Sequence, residues 1–171
     1  QKGIIKSVSL SSNETIKTKT IIVATGARWR ELNVPGEKEN LGNGVAYCPH
    51  CDGPFFKDKD VAVVGGGNSG IEAALDLSGI VNNVTVLEFM PELKADNILV
   101  DKAKAKDNIT IIKHAQVEQV NSSNGKVTGL EYIDRNTSNK MTINLDGIFV
   151  QIGLVPNSQF LENVIDLNSH G

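Results

Sequence analysis

Apolar positions along the chain fall into short runs, and their spacing changes character as the chain proceeds. Residues 3–9 (GIIKSVS) and 20–24 (TIIVA) read as strands around a polar turn region, SSNET. The stretch TGARWRELNVPGEKENLGNG has no sustained period and is rich in Gly, Pro and Asn, so it reads as a loop crossing between two units. A second unit begins near Val45. There DVAVVGGGNSG ends a buried strand in glycines, and SGIEAALDLSGIV then sets Ile71, Ala74, Leu75 and Val81 on one helical face. Ser69 and Glu72 have capping-box spacing at its start. NVTVLEF reads as a second strand, NILVDKAKAKDN as a second helix and ITIIKH as a third strand. Strands alternating with helices predict an α/β fold, a parallel sheet with helices on its faces. From Gln116 to Val150 the runs become short and β-rich, with turns at NSSNGK and RNTSNK. That segment is expected to be an antiparallel β insertion followed by a returning strand, GIFVQIG.

Composition narrows the picture without redirecting it. The 171 residues fit one domain with extra segments or pieces of two, and 40% apolar content is enough for a core. Seventeen basic against 20 acidic residues give a net charge of -3, which offers no electrostatic case for nucleic acid or an anionic membrane. The longest apolar runs fall far short of the ~20 residues that span a bilayer, and QKGIIKSVSL lacks the layout of a signal peptide. A reducing, cytoplasmic setting is the expectation. The chain opens on Gln1 and stops at NSHG, so it reads as a piece of a longer protein.

Two motifs carry chemistry. Gly65-x-Gly67-x-x-Gly70 lies between a predicted strand and a predicted helix, the setting of a Rossmann-like nucleotide-binding turn. Gly65 would permit the turn, Gly67 would let the backbone approach a pyrophosphate, and Gly70 would let helix and strand pack closely. A tight turn with no ligand is the alternative. Glu88 lies 18 residues beyond Gly70 at the end of the second strand. An acid there accepts hydrogen bonds from an adenosine ribose and repels a 2′-phosphate, which points to NAD over NADP. EFMPELKAD has Lys94 as its only base; a solvated acid at a strand end is the plainer reading of Glu88.

The only two cysteines, Cys48 and Cys51, stand in one C-x-x-C. A pair so close closes too small a loop to staple a fold, which leaves redox chemistry or half of a metal site. Pro49 and His50 separate the cysteines; a protonated His50 would stabilise a thiolate, and Asp52 could exchange a proton with one if burial raised its pKa. Zinc would need two further ligands, and His50, His114 and His170 form no paired motif, so no metal is expected. Inert buried thiols are the remaining alternative. Trp29, between Arg28 and Arg30, could pack an interface.

A dithiol beside a nucleotide loop suggests hydride chemistry delivered to a disulfide, with a flavin as relay. IIVATGARWRELNVPGE, GVAYCPHCDGPFF, VAVVGGGNSGIEAALDL, VTVLEFMPELKAD and GIFVQIGLVPN, taken in order, resemble the flavoprotein (F) subunit of bacterial alkyl hydroperoxide reductase, a relative of low-molecular-weight thioredoxin reductase. The resemblance runs from about Thr20 to Asn157. It implies that NADH reduces FAD, that FAD reduces the C-x-x-C disulfide, and that an N-terminal thioredoxin-like domain carries electrons to a peroxiredoxin. It further implies Cys51 as the thiol facing the flavin, Cys48 as the thiol that attacks the next disulfide, and Asp52 as the acid–base group. Gly65, Gly67, Asn68 and Ser69 would line the pyrophosphate, Glu88 the ribose and Gly153 the nicotinamide side, while Thr25 and Gly26 would touch FAD.

The family's flavin-domain glycine fingerprint and late Gly-Asp motif are both missing, as is the thioredoxin-like domain. The expected organisation is therefore an incomplete FAD-binding segment at 1–42, the NADH/disulfide domain at 43–153 and an incomplete return at 154–171. Hinges are expected near 40–44 and 153–156, the full-length protein is expected to be a homodimer, and FAD is not expected to be retained by these residues alone. Thioredoxin reductase is the alternative; the basic cluster that follows its second strand and the pair between its cysteines differ from LEFMPELKAD and CPHC. A non-catalytic nucleotide- or metal-binding module would also fit the two motifs taken separately.

Overall fold

The computed structural model describes residues 4–171, which group into two units. One comprises the chain up to Arg28 together with Leu154–Gly171, and the other is Trp29–Gly153.

In the first unit, Lys6–Ser9 (β1) and Thr15–Thr18 (β2) pair as an antiparallel hairpin running from Lys6↔Thr18 to Ser9↔Thr15. Leu10 N donates to Glu14 O across the turn, and Asn13 takes a positive φ of 65°, which asparagine tolerates. The strand expected over 3–9 thus starts later; Gly3 lies outside the described residues. The strand expected over 20–24 does not form. Ile21, Ile22 and Val23 are exposed there, because an apolar run becomes a strand only where a neighbour offers a second row of backbone partners. Ala27–Trp29 (β3) leads out of this unit.

The second unit begins sooner than its motifs suggest. The sequence places the boundary near residue 42, yet residues 29–44 already cluster with the remainder of that unit. The reason is Glu37, 1% exposed, whose carboxylate accepts hydrogen bonds from Leu32 N (2.8 Å), Asn33 N (2.7 Å) and the Tyr47 hydroxyl (2.9 Å). Leu32 and Val34 pack on the core beside it, and Trp29 stacks on Tyr47 with centroids 6.2 Å apart. Burial first, and then the hydrogen bond to and charge of Glu37, push the Tyr47 phenol above its ordinary value. Tyr47→Phe should therefore cost about 1–3 kcal/mol by removing one donor from a buried carboxylate. A raised phenol pKa contributes stability that is present below the unfolded value near 10 and is lost as pH climbs beyond it. Urea midpoints across that range should fall for the wild type and stay flatter for Tyr47→Phe.

Val45–Ala46 (β4) then enters a parallel sheet, followed by a single helical turn, Pro49–Asp52 (α1), and a 3-10 turn, Gly53–Phe56. Asp60–Val64 (β5), Asn68–Ser78 (α2), Asn83–Leu87 (β6), Asn97–Lys104 (α3) and Ile109–Ile112 (β7) supply the predicted alternation. Ala115–Ser123 (β8), Lys126–Asp134 (β9) and Asn139–Asn144 (β10) form a separate antiparallel sheet of order β10-β9-β8. Its first hairpin turns on Asn124 and Gly125, both at positive φ, as a two-residue Asn-Gly loop requires. Gly147–Val150 (β11) returns between β4 and β5, completing the five-stranded parallel order β4-β11-β5-β6-β7. Leu154–Pro156 (β12) pairs with β3 where the chain re-enters the first unit.

Strand alternation explains the layers. Val61 and Val63 of β5, Val84 and Val86 of β6 and Phe149 of β11 join Ile71, Ala74 and Leu77 of α2 in one core. Ala62, Val64, Leu87, Ile148 and Val150 face the opposite way, onto Val117, Val120, Leu130 and Tyr132 of the antiparallel sheet. Both faces of the parallel sheet are thus covered, which is why its strands read as unbroken apolar runs. The expected helical face gains Ala73 and Leu77; Leu75 is only partly buried, and Val81 is buried beyond the helix end. The expected capping box is not made. Gly67 occupies the N-cap with no side-chain bond, and Ser69 lies inside the helix.

Candidate functional site

The glycine turn is built by two close approaches and one open position. Gly65 has φ 120° and donates its N–H to Leu87 O (2.9 Å), turning the chain at the end of β5. A Cβ on Gly70 would lie 2.8 Å from the carbonyl carbon of Gly65 and overlap its oxygen, so α2 sits against the turn as closely as backbones allow. Gly67 is different: no protein atom lies within 4 Å of where its Cβ would be, and its backbone is ordinarily extended. Its open side borders a cleft of about 430 Å³ lined by Gly65–Ser69, Glu88, Phe89, Lys94 and residues 151–153. The first helical bond of α2 runs from Ile71 N to Gly67 O, and the dipole of this eleven-residue helix favours negative charge there. A larger hollow of about 690 Å³ shares Gly65, Glu88, Phe89 and Ile152 with this cleft and continues it toward Pro35 and Val117.

Glu88 is not a solvated strand-end acid. It is 8% exposed, and its carboxylate accepts from Gly66 N at 2.6 Å and from Met90 N at 2.7 Å. Gly66 O in turn accepts from Lys94 N and Ala95 N. The middle glycine of the run, which the motif spacing passes over, is therefore what ties the acid to the turn. A Cβ on Gly66 would lie 2.7 Å from Glu88 Oε2. Asn68 spends its side chain on the next helix: its Nδ2 donates to Asp96 Oδ2 (3.1 Å), and its Oδ1 accepts from Asp96 N (2.8 Å). Of the residues marked from sequence, Gly65, Gly67, Asn68, Ser69, Glu88 and Gly153 meet at this one cleft, and Gly70 packs beneath it.

Cys48 and Cys51 form a disulfide. Cys48 is the N-cap of α1, and its sulfur accepts a hydrogen bond from Cys51 N at 3.2 Å. Cys48 is half-buried, Cys51 exposed and Asp52 half-buried. His50, 80% exposed, sets Nε2 3.7 Å from Asp76 Oδ2 of α2, an ion pair when the imidazole is protonated. Among the described residues, no group of three or more His, Cys, Asp or Glu side chains is arranged to hold a metal ion, and no helix is long and apolar enough to cross a membrane.

Thr25 and Gly26 belong to the first unit. Thr25 Oγ1 donates to Asn157 O (2.7 Å), Asn157 Nδ2 donates to Thr25 O (3.0 Å), and Asn157 N donates to Gly26 O (3.0 Å). Gly26 has φ 67° and open space beside it. This is a short backbone corner, with nothing like the cradle at Gly65–Ser69.

Sequence reasoning missed Gly66, Glu37 and Gln151. For Gly66 the unbroken Gly-Gly-Gly was a visible signal; for the two buried polar side chains nothing in the local pattern was.

The model of the family described as pyridine nucleotide-disulphide oxidoreductase matches residues 1–171. A Bacillus subtilis protein named NADH dehydrogenase is 53% identical over 171 residues, all of this chain and 33% of that protein. The F subunit of alkyl hydroperoxide reductase in Staphylococcus aureus is 53% identical over 164 residues, 96% of this chain and 32% of that protein. The chain thus spans about a third of the length of these relatives. Among solved structures, Lactococcus lactis thioredoxin reductase superimposes with a TM-score of 0.90 at 31% identity, covering all of this chain and 56% of that one. Thioredoxin reductase of T. acidophilum gives 0.85 at 41% identity, over 93% of this chain and 52% of that one.

Proposed function

The chain belongs to the pyridine nucleotide-disulphide oxidoreductase family, and from that premise we propose that it is the NADH-binding and disulfide-bearing portion of a flavoprotein disulfide reductase. The observation that carries this reading is the buried Glu88 carboxylate, bonded to Gly66 N in the same cleft that Gly67 leaves open at the start of α2. A dinucleotide fits there. Its pyrophosphate would lie over Gly67 and the first-turn amides, and its ribose hydroxyls would donate to the free lone pairs of Glu88. A 2′-phosphate would face that carboxylate at close range, with Lys94 the only cation lining the cleft among the described residues.

FAD, when bound to the full-length protein, supplies a two-electron relay between nicotinamide and disulfide. Thr25 and Gly26 would contribute one corner of its site and no more, so we assign its retention to the full-length protein. The work of this chain's own residues is then definite. Two electrons and two protons convert the Cys48–Cys51 disulfide to a dithiol. The Cys51 N–H aimed at Cys48 Sγ favours negative charge on that sulfur once the bond is broken. Asp52, adjacent in sequence, is the group that would move the accompanying proton. Cys48 as thiolate would then attack the disulfide of a thioredoxin-like domain, which serves a peroxiredoxin for peroxide reduction. A cytoplasmic homodimer is the assembly this reading assigns to the full-length protein.

The likeness to thioredoxin reductases supports a second reading, in which NADPH is the donor. Calorimetric titration of the chain with NADH and NADPH separates the two. We expect NADH to bind at least about tenfold more tightly, a difference of about 1.4 kcal/mol, and Glu88→Ala to lower NADH affinity and narrow that ratio. Equal or tighter NADPH binding would move the assignment to the thioredoxin reductase branch.

A further inference from the structure

Gln151 follows β11 directly and is 7% exposed, and it touches both halves of the site. Its N–H donates to Val64 O at 2.8 Å, at the end of β5. Its carbonyl presses on the glycine turn so closely that a Cβ on Gly65 would lie 2.8 Å from the Gln151 carbonyl carbon. Its own Cβ lies 3.7 Å from where a Cβ on Gly70 would be. In the other direction its side-chain Nε2 donates to Tyr47 O at 2.8 Å, the carbonyl immediately before Cys48. Gln151 also lines the cleft that holds Glu88. Burying an amide costs free energy unless it is partnered. This one is partnered by the backbone that leads into the disulfide, and methionine would fill nearly the same volume without that bond.

We propose that Gln151 is a positioning residue that couples occupancy of the nucleotide cleft to the redox poise of the Cys48–Cys51 pair. The proposal rests on the proposed function, in which the cleft takes the dinucleotide and the pair cycles between disulfide and dithiol. The bond from Gln151 to Tyr47 is made in the disulfide state seen here. A dinucleotide that immobilises Gly65–Gly67 also immobilises the Gln151 main chain against them, and through its side chain holds the Tyr47 carbonyl in the disulfide arrangement. Bound nucleotide therefore favours the disulfide. By linkage, the disulfide form binds nucleotide more tightly than the dithiol by the same factor.

The test uses the full-length protein with NAD+, the oxidised and non-reducing form of the nucleotide, in dithiothreitol redox buffers. Thiol labelling is read by mass spectrometry on the peptide that carries Cys48 and Cys51. In the wild type, saturating NAD+ should shift the disulfide-to-dithiol ratio toward disulfide by about tenfold, equal to about 30 mV for a two-electron couple. In Gln151→Met, read at NAD+ concentrations that saturate the variant and against the same variant without NAD+, the shift should fall below about twofold; a change in NAD+ affinity or in thermal midpoint alone, which a merely structural role would produce, leaves that ratio unmoved. A full shift retained in Gln151→Met overturns the proposal. Reciprocity gives a measurement that needs no variant, since wild-type NAD+ affinity must drop on reduction by the same factor; equal affinities in the two states overturn it as well. Absence of NAD+ binding, or a pair that never titrates, would instead strike the underlying functional reading and remove the proposal with it.

Discussion

Gly70→Ala should lose dinucleotide binding by about 100-fold or more and destabilise the fold by about 3 kcal/mol. The new Cβ would lie 2.8 Å from the Gly65 carbonyl carbon and overlap the oxygen, and both are backbone atoms that cannot rotate aside. Either α2 retreats from β5 or the turn opens, and both movements displace the amides that would receive the pyrophosphate. Gly67→Ala is the partner experiment. Its Cβ would meet no protein atom within 4 Å, and its extended backbone suits any residue, so urea midpoints should match wild type within error. The methyl would nevertheless project toward the cleft, and NADH affinity should fall by about tenfold, about 1.4 kcal/mol. Calorimetry and urea unfolding on both variants separate a packing glycine from a ligand-facing one. Wild-type NADH affinity in Gly67→Ala would mean that the pyrophosphate lies elsewhere.

Cys48→Ser and Cys51→Ser should each lower disulfide-linked turnover of the full-length protein by more than about 1000-fold while leaving NADH affinity unchanged. The S–S bond is the two-electron acceptor in the proposed path, and a serine hydroxyl cannot form it or leave as thiolate does. Stability should change by about 2 kcal/mol at most, because the disulfide closes a ring of only four residues and α1 retains its backbone bond from Asp52 N to Cys48 O. NADH-dependent reduction of a small aromatic disulfide gives the readout. Activity above about a tenth of wild type in either variant would show that electrons leave by another route.

The candidate site was legible where chemistry is dictated by local geometry. Gly65, Gly67 and Gly70 announce a strand-to-helix turn, because Gly65 and Gly70 let backbone approach backbone there while Gly67 leaves its side of the turn open. Asn124-Gly125 announces a hairpin for the same kind of reason. Glu88 was legible as the acid at the strand end, but its burial and its bond to Gly66 were not, since the partner is the backbone amide of a residue 22 positions away whose carbonyl is also bonded to Lys94 and Ala95. The capping box at Ser69 and Glu72 was a local signal overridden by Gly67, which starts the helix two residues sooner. TIIVA at 20–24 has strong strand propensity and forms no ladder, because propensity supplies one row of donors and acceptors and a sheet needs two.

By itself, the sequence determined the alternation of strands and helices, the glycine turn, the antiparallel insertion and the proximity of the two cysteines, all consequences of side-chain period and near-neighbour spacing. Tertiary structure alone decided that Glu37 ties residues 32–33 to Tyr47, that Glu88 is bonded to the turn, and that Gln151 stands between that turn and Tyr47. Those three contacts span 4 to 104 residues of chain. Each is a buried polar group whose partner is a backbone amide or carbonyl, or a tyrosine hydroxyl. Almost every residue carries the backbone groups, so nothing in the local pattern says which of them a buried side chain will meet until the sheet order β4-β11-β5-β6-β7 is assembled.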